Sequence, residues 1–425
     1  MWKTAAHSFM VPDSNENSVY ADNNATSPLA PEVWEEMRAW FGAAFHNASA
    51  LYGPARNAAR AIGHAREQVA ALLGLKDSRV VVFTSGATES NNAALFGAAR
   101  GNPARRHVLT TSVEHPSVLG PCAELEREGY AVTYLPVDSN GALDPARLQD
   151  ALRPDTLLVS IMHANNETGI LFPVGDLARL VKKFDARILT HSDATQSVGK
   201  LPIRFGEDLD HVDFLSMSAH KFHGPKGSGA LLIREGAPWR PFMLGGHQEE
   251  GRRGGTYNVP GIAGLGRACE LASQYLDTHE QTSRLRDEVQ AYITGHIPGV
   301  WVNGANSPRL PNTLSVSFEG IEGEGLVHQL SAAAVYISTG SACTSGSTEP
   351  SHVLRAMGVP EPFIHGSVRI SFSRYTTPEE VGRLCVALAV VVEKLRRLSP
   401  KRRGVQGTPD VLPITLHAGS KGNNV

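Results

Sequence analysis

A lysine placed where a buried strand hands over to a tight loop is a candidate nucleophile. The sequence has one in Ser218-Ala219-His220-Lys221-Phe222-His223-Gly224-Pro225-Lys226-Gly227. The run before it, Val212-Asp213-Phe214-Leu215-Ser216-Met217, is apolar and strand-like, and the glycines and proline after it demand a turn. Burial favours the neutral amine of such a lysine, which can then attack a carbonyl carbon and form a Schiff base. Taken alone, a lysine in a Lys-Gly loop is more often a surface residue, so the reading of Lys221 rests on what the other strand ends supply.

Four further stretches have the same form, a strand-like run that ends in polar residues. Residues 79–83 lead into Thr84-Ser85-Gly86-Ala87-Thr88-Glu89, a small-residue turn that opens an alanine-rich helix. Its backbone N–H groups, hydroxyls and helix dipole, at Ala87 and Thr88 among others, suit a phosphate, although a helix cap is the commoner use of such a turn. Glu114-His115 follows the run 107–111 and could lay an imidazole over a flat ring. Asn165-Asn166-Glu167-Thr168-Gly169 follows 157–162 and could donate to a ring oxygen. Thr190-His191-Ser192-Asp193-Ala194-Thr195-Gln196 closes another run, where Asp193 can hold a proton on a pyridine nitrogen and Gln196 comes within reach of a phenolic oxygen. A phosphate cradle, a ring stacker, an oxygen donor, a ring-nitrogen partner and a Schiff-base lysine together match the needs of pyridoxal 5'-phosphate.

Two residues outside this set point to the second reactant. Cys343 lies in Ser338-Thr339-Gly340-Ser341-Ala342-Cys343-Thr344-Ser345-Gly346-Ser347, a stretch with no large apolar side chain, which predicts an exposed mobile loop and a reactive thiol. Cys122, Cys269 and Cys385 have apolar helical neighbours and read as buried structural thiols. Arg369, inside the strand-like Val368-Arg369-Ile370-Ser371, needs a partner for its charge; a substrate carboxylate or an internal ion pair would serve, and Arg374 competes for the substrate role.

The elements that must position these residues alternate. Strand-like runs separated by helical stretches from residue 79 to residue 217 predict an α/β fold with a mostly parallel sheet covered on both faces, its chemistry gathered beyond the carboxyl ends of the strands. Longer helices after residue 261 predict a smaller α+β domain. The expected division is an N-terminal extension 1–19, a large cofactor-binding domain 20–260 whose first residues pack on the small domain, a small domain 261–399, and a mobile tail 400–425. With 40 basic and 42 acidic residues among 425, the balance does not ask for nucleic acid or an anionic membrane. No apolar run reaches the roughly 18 residues of a membrane span, the first nineteen residues lack a signal-peptide core, and the expectation is a soluble cytoplasmic protein. The four cysteines show no metal-ligand spacing, so no metal is expected.

With these residues assembled, the chain resembles the pyridoxal-phosphate-dependent cysteine desulfurases, most closely the NifS type, in the class-V aminotransferase-like family. The matching motifs run from Asp22-Asn23-Asn24-Ala25-Thr26 through Val113-Glu114-His115-Pro116, His220 to Gly227, Arg252-Arg253-Gly254-Gly255-Thr256 and Leu310-Pro311-Asn312-Thr313 to Val368 to Thr377, together spanning residues 20–400. The chain departs from the family pattern at His46-Asn47-Ala48-Ser49-Ala50 and at Gly254. The resemblance implies a fold-type I architecture and a homodimer in which Thr256 reaches the phosphate bound by the neighbouring subunit. It further implies Lys221 as the Schiff-base lysine, with Ala87, Thr88, Ser218 and His220 at the phosphate and Asn166 and Gln196 near the ring oxygen. Asp193 falls at the ring nitrogen, His115 in a catalytic position, Cys343 as the persulfide-forming cysteine, and Arg369, with Asn166, at the substrate carboxylate.

The expected activity is therefore conversion of L-cysteine to L-alanine, with sulfur held on Cys343 and passed to an acceptor or scaffold protein for iron–sulfur cluster assembly, nitrogenase maturation being one outlet. Selenocysteine lyase, and an aminotransferase or β-lyase of the same fold, are the rival enzymes; a non-catalytic assembly protein is the rival from another class.

Overall fold

The computed structural model describes residues 18–276, 279–340 and 349–398. The chain enters through β1 (Val19–Tyr20), α1 (Pro31–Phe41) and α2 (Gly53–Leu72). Both helices carry a proline in the first turn, where the missing N–H leaves no intrahelical bond unmade. Strands and helices then alternate: β2 (Val81–Thr84), α3 (Ala87–Gly101), β3 (His107–Thr111), α4 (Pro116–Arg127), β4 (Ala131–Leu135), α5 (Pro145–Ala151), β5 (Thr156–Ser160), α6 (Val174–Phe184), β6 (Leu189–Asp193), β7 (Phe214–Ser218) and β8 (Gly229–Ile233).

Strands β2, β3, β5, β6, β7 and β8 are buried at every position, which is why they read as continuous rather than alternating apolar runs. They form a seven-stranded sheet in the order β2-β8-β7-β6-β5-β3-β4. Neighbours from β7 to β4 pair in parallel, and β8 runs antiparallel to both β2 and β7. The carboxyl ends of β2, β3, β5, β6 and β7 thus share one edge, and each of the five polar strand ends singled out in the sequence lies there.

The large core extends further than expected. In α7 (Val259–Tyr275), Ile262, Leu265, Ala268 and Cys269 join the core formed by α1, α2 and one face of the sheet. A Cβ on Gly266 would come within 2.6 Å of Ala65 Cα, so glycine there lets α7 lie directly against α2. The change of core therefore falls after α7 and not near residue 261. The reason is that α7 packs its apolar side backward in the chain, which a helical pattern does not disclose.

The small domain comprises α8 (His279–His296), β9 (Val300–Val302), β10 (Thr313–Phe318), α9 (Gly323–Ala332), β11 (Val335–Tyr336), β12 (Ser338–Thr339), α10 (His352–Ala356), α11 (Glu361–Ile364), β13 (Ser367–Ser371) and α12 (Pro378–Leu398). Its antiparallel sheet has the order β12-β13-β10-β9. Val289, Leu326, Leu388 and Val392 supply a separate core with β1 residue Val19. Strand β1 pairs in parallel with β11, so the first strand of the chain packs on the small domain. Val353, Leu354 and Ile364 return to the large core, which ties the two domains together at the edge that carries the site. No helix among the described residues is long and apolar enough to cross a membrane.

Candidate active site

The shared strand edge and the facing side of the small domain enclose a cavity of about 800 Å³, within the ~300–1,000 Å³ usual for ligand sites. Ala87, Thr88, His115, Asn166, Asp193, Gln196, Ser218, His220, Lys221 and Arg369 all line it, so the fold brings together every site residue read from the sequence except Thr256 and Cys343. Thr256 is exposed and does not line this cavity. Cys343 lies outside the described residues, yet both flanks of its segment, Gly340 and Glu349-Pro350-Ser351, line the cavity wall.

At one end, β2 gives way to α3 through Gly86, whose φ of 148° is open to glycine alone. No side chain caps α3, so the first-turn N–H groups of Ala87, Thr88 and Glu89 lack intrahelical acceptors and face a place suited to an anion. The backbone crowds this turn from below: a Cβ on Gly229 would come within 2.7 Å of Gly86 Cα. Burial tends to raise the Glu89 carboxyl, but hydrogen bonds from Arg253 and Ser85 outweigh it and hold the group ionised and paired, at 2.8 Å from Arg253 Nε. Its charge is thereby kept from opposing an anion at the turn. His220 shares a hydrogen bond of 3.1 Å with Thr26 Oγ1; burial first, then Lys221, Lys226 and Lys200, push its imidazole down to about 4.

In the middle of the cavity, Asp193 ends β6. Its Oδ2 accepts from Asn91 Nδ2 at 2.7 Å and its Oδ1 from the Thr195 N–H at 3.0 Å. Asn91 also donates to Ser117 Oγ at 2.8 Å, and Ser117 Oγ meets His115 Nδ1 at 2.8 Å. Because the Ser117 N–H donates to the same Nδ1 at 3.1 Å, the proton of neutral His115 is fixed on Nε2. Burial lowers the His115 pKa, with Asp193 opposing and Lys221 and His352 assisting, so the ring is neutral near pH 7.

Lys221 Nζ donates to Asn24 O at 2.7 Å and to Ala25 O at 2.9 Å. Asn24, to which no role was assigned from the sequence, is the hub of this region. Its carbonyl also accepts from Gln196 Nε2 at 3.0 Å, its Oδ1 from Lys200 Nζ at 3.0 Å and Asn312 Nδ2 at 3.1 Å, and its Nδ2 donates to Asn166 O at 3.2 Å. Lys200 in turn donates to Gln196 Oε1 at 2.9 Å.

Arg369 reaches the cavity from β13 with its side chain 3% exposed. Nη2 donates to Asp22 Oδ1 at 2.7 Å and Nη1 to Asn166 O at 3.0 Å, while Nε is buried with no acceptor among the described residues. The internal ion pair and the open donor therefore coexist on one guanidinium. Arg374 does not line this cavity.

Two buried carboxyls escaped the sequence reading. Glu114 accepts from Thr111 Oγ1 at 2.8 Å and from the Met162 N–H at 2.9 Å; burial pushes it up to about 8, and its Oε2 has no partner among the described residues. Glu167 is pushed up to about 7 by burial, against the pull of Ser351 and Arg369. Ser351 Oγ donates to Glu167 Oε2 at 2.5 Å, and a Cβ on Gly340 would stand 2.9 Å from the same oxygen. Glu167 thus touches both flanks of the segment that carries Cys343. Their only signal in the sequence was position, each beside a polar strand end.

The donor set fits pyridoxal phosphate: an uncapped helix N-terminus for the phosphate, an ionisable carboxylate at β6 for the ring nitrogen, a neutral imidazole for the ring face and an amine for the aldehyde carbon. Among the described residues no cluster of His, Cys, Asp and Glu could hold a metal ion. Residues 19–384 match the aminotransferase class-V family. A cysteine desulfurase of Nostoc sp. is 46% identical over 390 residues, covering 92% of this chain and 96% of that protein. One of Cereibacter sphaeroides is 47% identical, covering 90% and 97%. Among solved structures, a NifS-like protein superposes with a TM-score of 0.81 at 39% identity, over 90% of this chain and 99% of that one. SspA in complex with cysteine superposes at 0.74 with 37% identity, over 85% and 100%. A family model across most of the chain, relatives near half identity over almost their whole length, and a cavity built for the cofactor agree: the chain belongs to the class-V aminotransferases and, within them, to the pyridoxal-phosphate-dependent cysteine desulfurases.

Proposed function

We propose that Arg369, Lys221, Asp193, His115 and Cys343 divide the work of desulfuration in this chain as follows. The open Nε of Arg369 and its remaining N–H groups receive the carboxylate of L-cysteine, with Asn166 beside it. Lys221, held by the Asn24 and Ala25 carbonyls, anchors the cofactor and afterwards moves the proton at the substrate Cα. Asp193 holds a proton at the ring nitrogen and is itself fixed by Asn91 and Thr195. His115 covers the ring face with its proton on Nε2. Ser218, His220 and the amides of Ala87 and Thr88 bind the phosphate, and Gln196 and Asn166 stand near the ring oxygen. Bound there, pyridoxal phosphate supplies an electron sink that acidifies the substrate Cα–H.

The Cys343 thiolate attacks the substrate Sγ. The new bond joins the two sulfurs, the substrate Cβ–S bond breaks, and its electron pair stays with the carbon fragment, which takes up a proton and leaves as L-alanine. The sulfur remains on Cys343 until the thiol of an acceptor protein removes it for iron–sulfur cluster assembly. The observation that carries this reading is that both flanks of the Cys343 segment line the same cavity as Lys221. Cys343 is three residue steps along the chain from Gly340, a reach of about 10 Å at ~3.3–3.6 Å per residue.

A homodimer in the cytoplasm completes the proposal. Thr256 is exposed in its own subunit, as a residue serving a neighbour's site must be, and Phe45, Leu51 and Leu244 are large apolar side chains left 74%, 93% and 80% exposed. The test is mass spectrometry of cysteine-treated protein without reductant. One added sulfur is expected on the peptide that contains Cys343, and Cys343→Ala should retain the cofactor's absorbance while releasing almost no alanine. Sulfur found only on Cys122, Cys269 or Cys385 would refute the assignment.

A further inference from the structure

Lys221 also lines a second, smaller cavity, of about 60 Å³. A single water needs only ~10–15 Å³ by this measure, so the space admits one small ion with a water or two and excludes a metabolite. Lys200, His223 and Arg374 share its wall, and among the described residues no Asp or Glu lines it. The acceptors that these cations do have are neutral. Lys200 Nζ donates to the side-chain oxygens of Asn24 and Gln196, which leaves a third N–H to give. Arg374 Nη2 donates to Tyr375 Oη at 3.0 Å, and its guanidinium lies over the rings of Tyr275 and Tyr375 at 4.5 and 5.0 Å. Its Nε is buried and has no acceptor among the described residues. Neither cation has an ion-pair partner among the described residues. By contrast, Arg369 pairs with Asp22 and Arg66 with Glu249.

The neighbours report the same imbalance. Burial pushes His223 down to about 4, and the charges that add to the effect are Arg374 and Lys200, with a hydrogen bond to Pro28 as the opposing influence. Burial, then Lys221 and Arg369, press the Lys200 amine well below its ordinary value, and an anion beside it would favour its charged form. His279 and Thr282, from the first turn of α8, also face the cavity, at the end of the helix where the dipole favours negative charge. Positive groups brought together with no carboxylate among the described residues favour a counter-ion from solvent, because their mutual repulsion is poorly screened in a low-dielectric interior.

We propose that this cavity binds a small inorganic anion of about chloride size, held between Lys200 and Arg374. Through Lys200, which holds both Gln196 and Asn24, the anion bears on the residues that position Lys221.

The experiment is the chloride NMR line width of the cofactor-loaded enzyme in a gluconate background. Wild type should show excess broadening that bromide removes and gluconate, too large for the cavity, does not. Arg374→Gln and Lys200→Met, each at a residue that lines the cavity and checked for folding by bound-cofactor absorbance, should each lose most of it. The absence of bromide-sensitive broadening in wild type would overturn the proposal, as would full broadening in both folded variants.

Discussion

Arg369→Lys tests the placement of the substrate carboxylate. In the structure Arg369 holds Asp22 with Nη2 and Asn166 O with Nη1, and its Nε lies buried without an acceptor among the described residues. Lysine keeps the charge and can still meet Asp22, so the buried carboxylate is not left alone. It cannot at the same time reach Asn166 and offer a second planar pair of donors to the substrate. A hydrogen bond between charged groups contributes about 1.5–3 kcal/mol, and each ~1.4 kcal/mol is a factor of ten. The cysteine concentration for half-maximal alanine release should therefore rise roughly ten- to hundredfold. Cofactor absorbance should persist, since the phosphate cradle, Asp193 and Lys221 lie on other elements. Arg374→Lys, which changes a residue outside the large cavity, serves as the control and should shift that concentration far less. A larger substrate effect in the Arg374 variant, or an unchanged KM in a well-loaded Arg369 variant, would show that the carboxylate sits elsewhere.

Lys221→Ala should abolish turnover, and borohydride should fix the cofactor of the wild-type protein to the peptide carrying Lys221; a label on Lys226, which also lines the cavity, would refute the assignment. Asp193→Asn should keep the cofactor, because the amide oxygen still accepts from one of the two donors, Asn91 Nδ2 or the Thr195 N–H, that hold the carboxylate, but lose about two to three orders of magnitude in kcat, the usual cost of one such electrostatic contact; an unchanged kcat at full loading would count against it. Glu167→Gln tests the buried carboxyl. Since burial raises Glu167 from 4.5 to about 7, the folded protein binds this proton more tightly than the unfolded chain, so its contribution is full below the unfolded pKa and is lost as pH rises through the folded one. Wild type should lose up to about 3 kcal/mol relative to Glu167→Gln between roughly pH 4.5 and pH 8, read as a widening difference in Tm; parallel Tm curves would refute it.

What the sequence disclosed about this site is what is encoded locally. Asp193 and Lys221 each close an apolar run, and one strand direction carries all such closures to a single edge, so alternation of elements was enough to predict their company. Asn24 shows the opposite case. It sits in a short polar stretch, and its partners Asn166, Gln196 and Asn312 lie 142, 172 and 288 residues away. No window of sequence contains the reason for it. Glu114 and Glu167 were hidden in another way: a glutamate's composition and spacing are the same whether it is solvated or enclosed, and only the packing around it decides that it holds a proton near neutrality. Arg369 marks the boundary between the two. Its strand position predicted a partner but left an ion pair and a substrate as alternatives, and the guanidinium proves large enough for an ion pair with one donor still open. That leftover donor is informative because burying a polar group without a partner is unfavourable. The unpaired Nε of Arg369, a residue that lines the large cavity, is a ground on which we propose that arginine for the substrate, as the unpaired Nε of Arg374 is for a counter-ion at the small one.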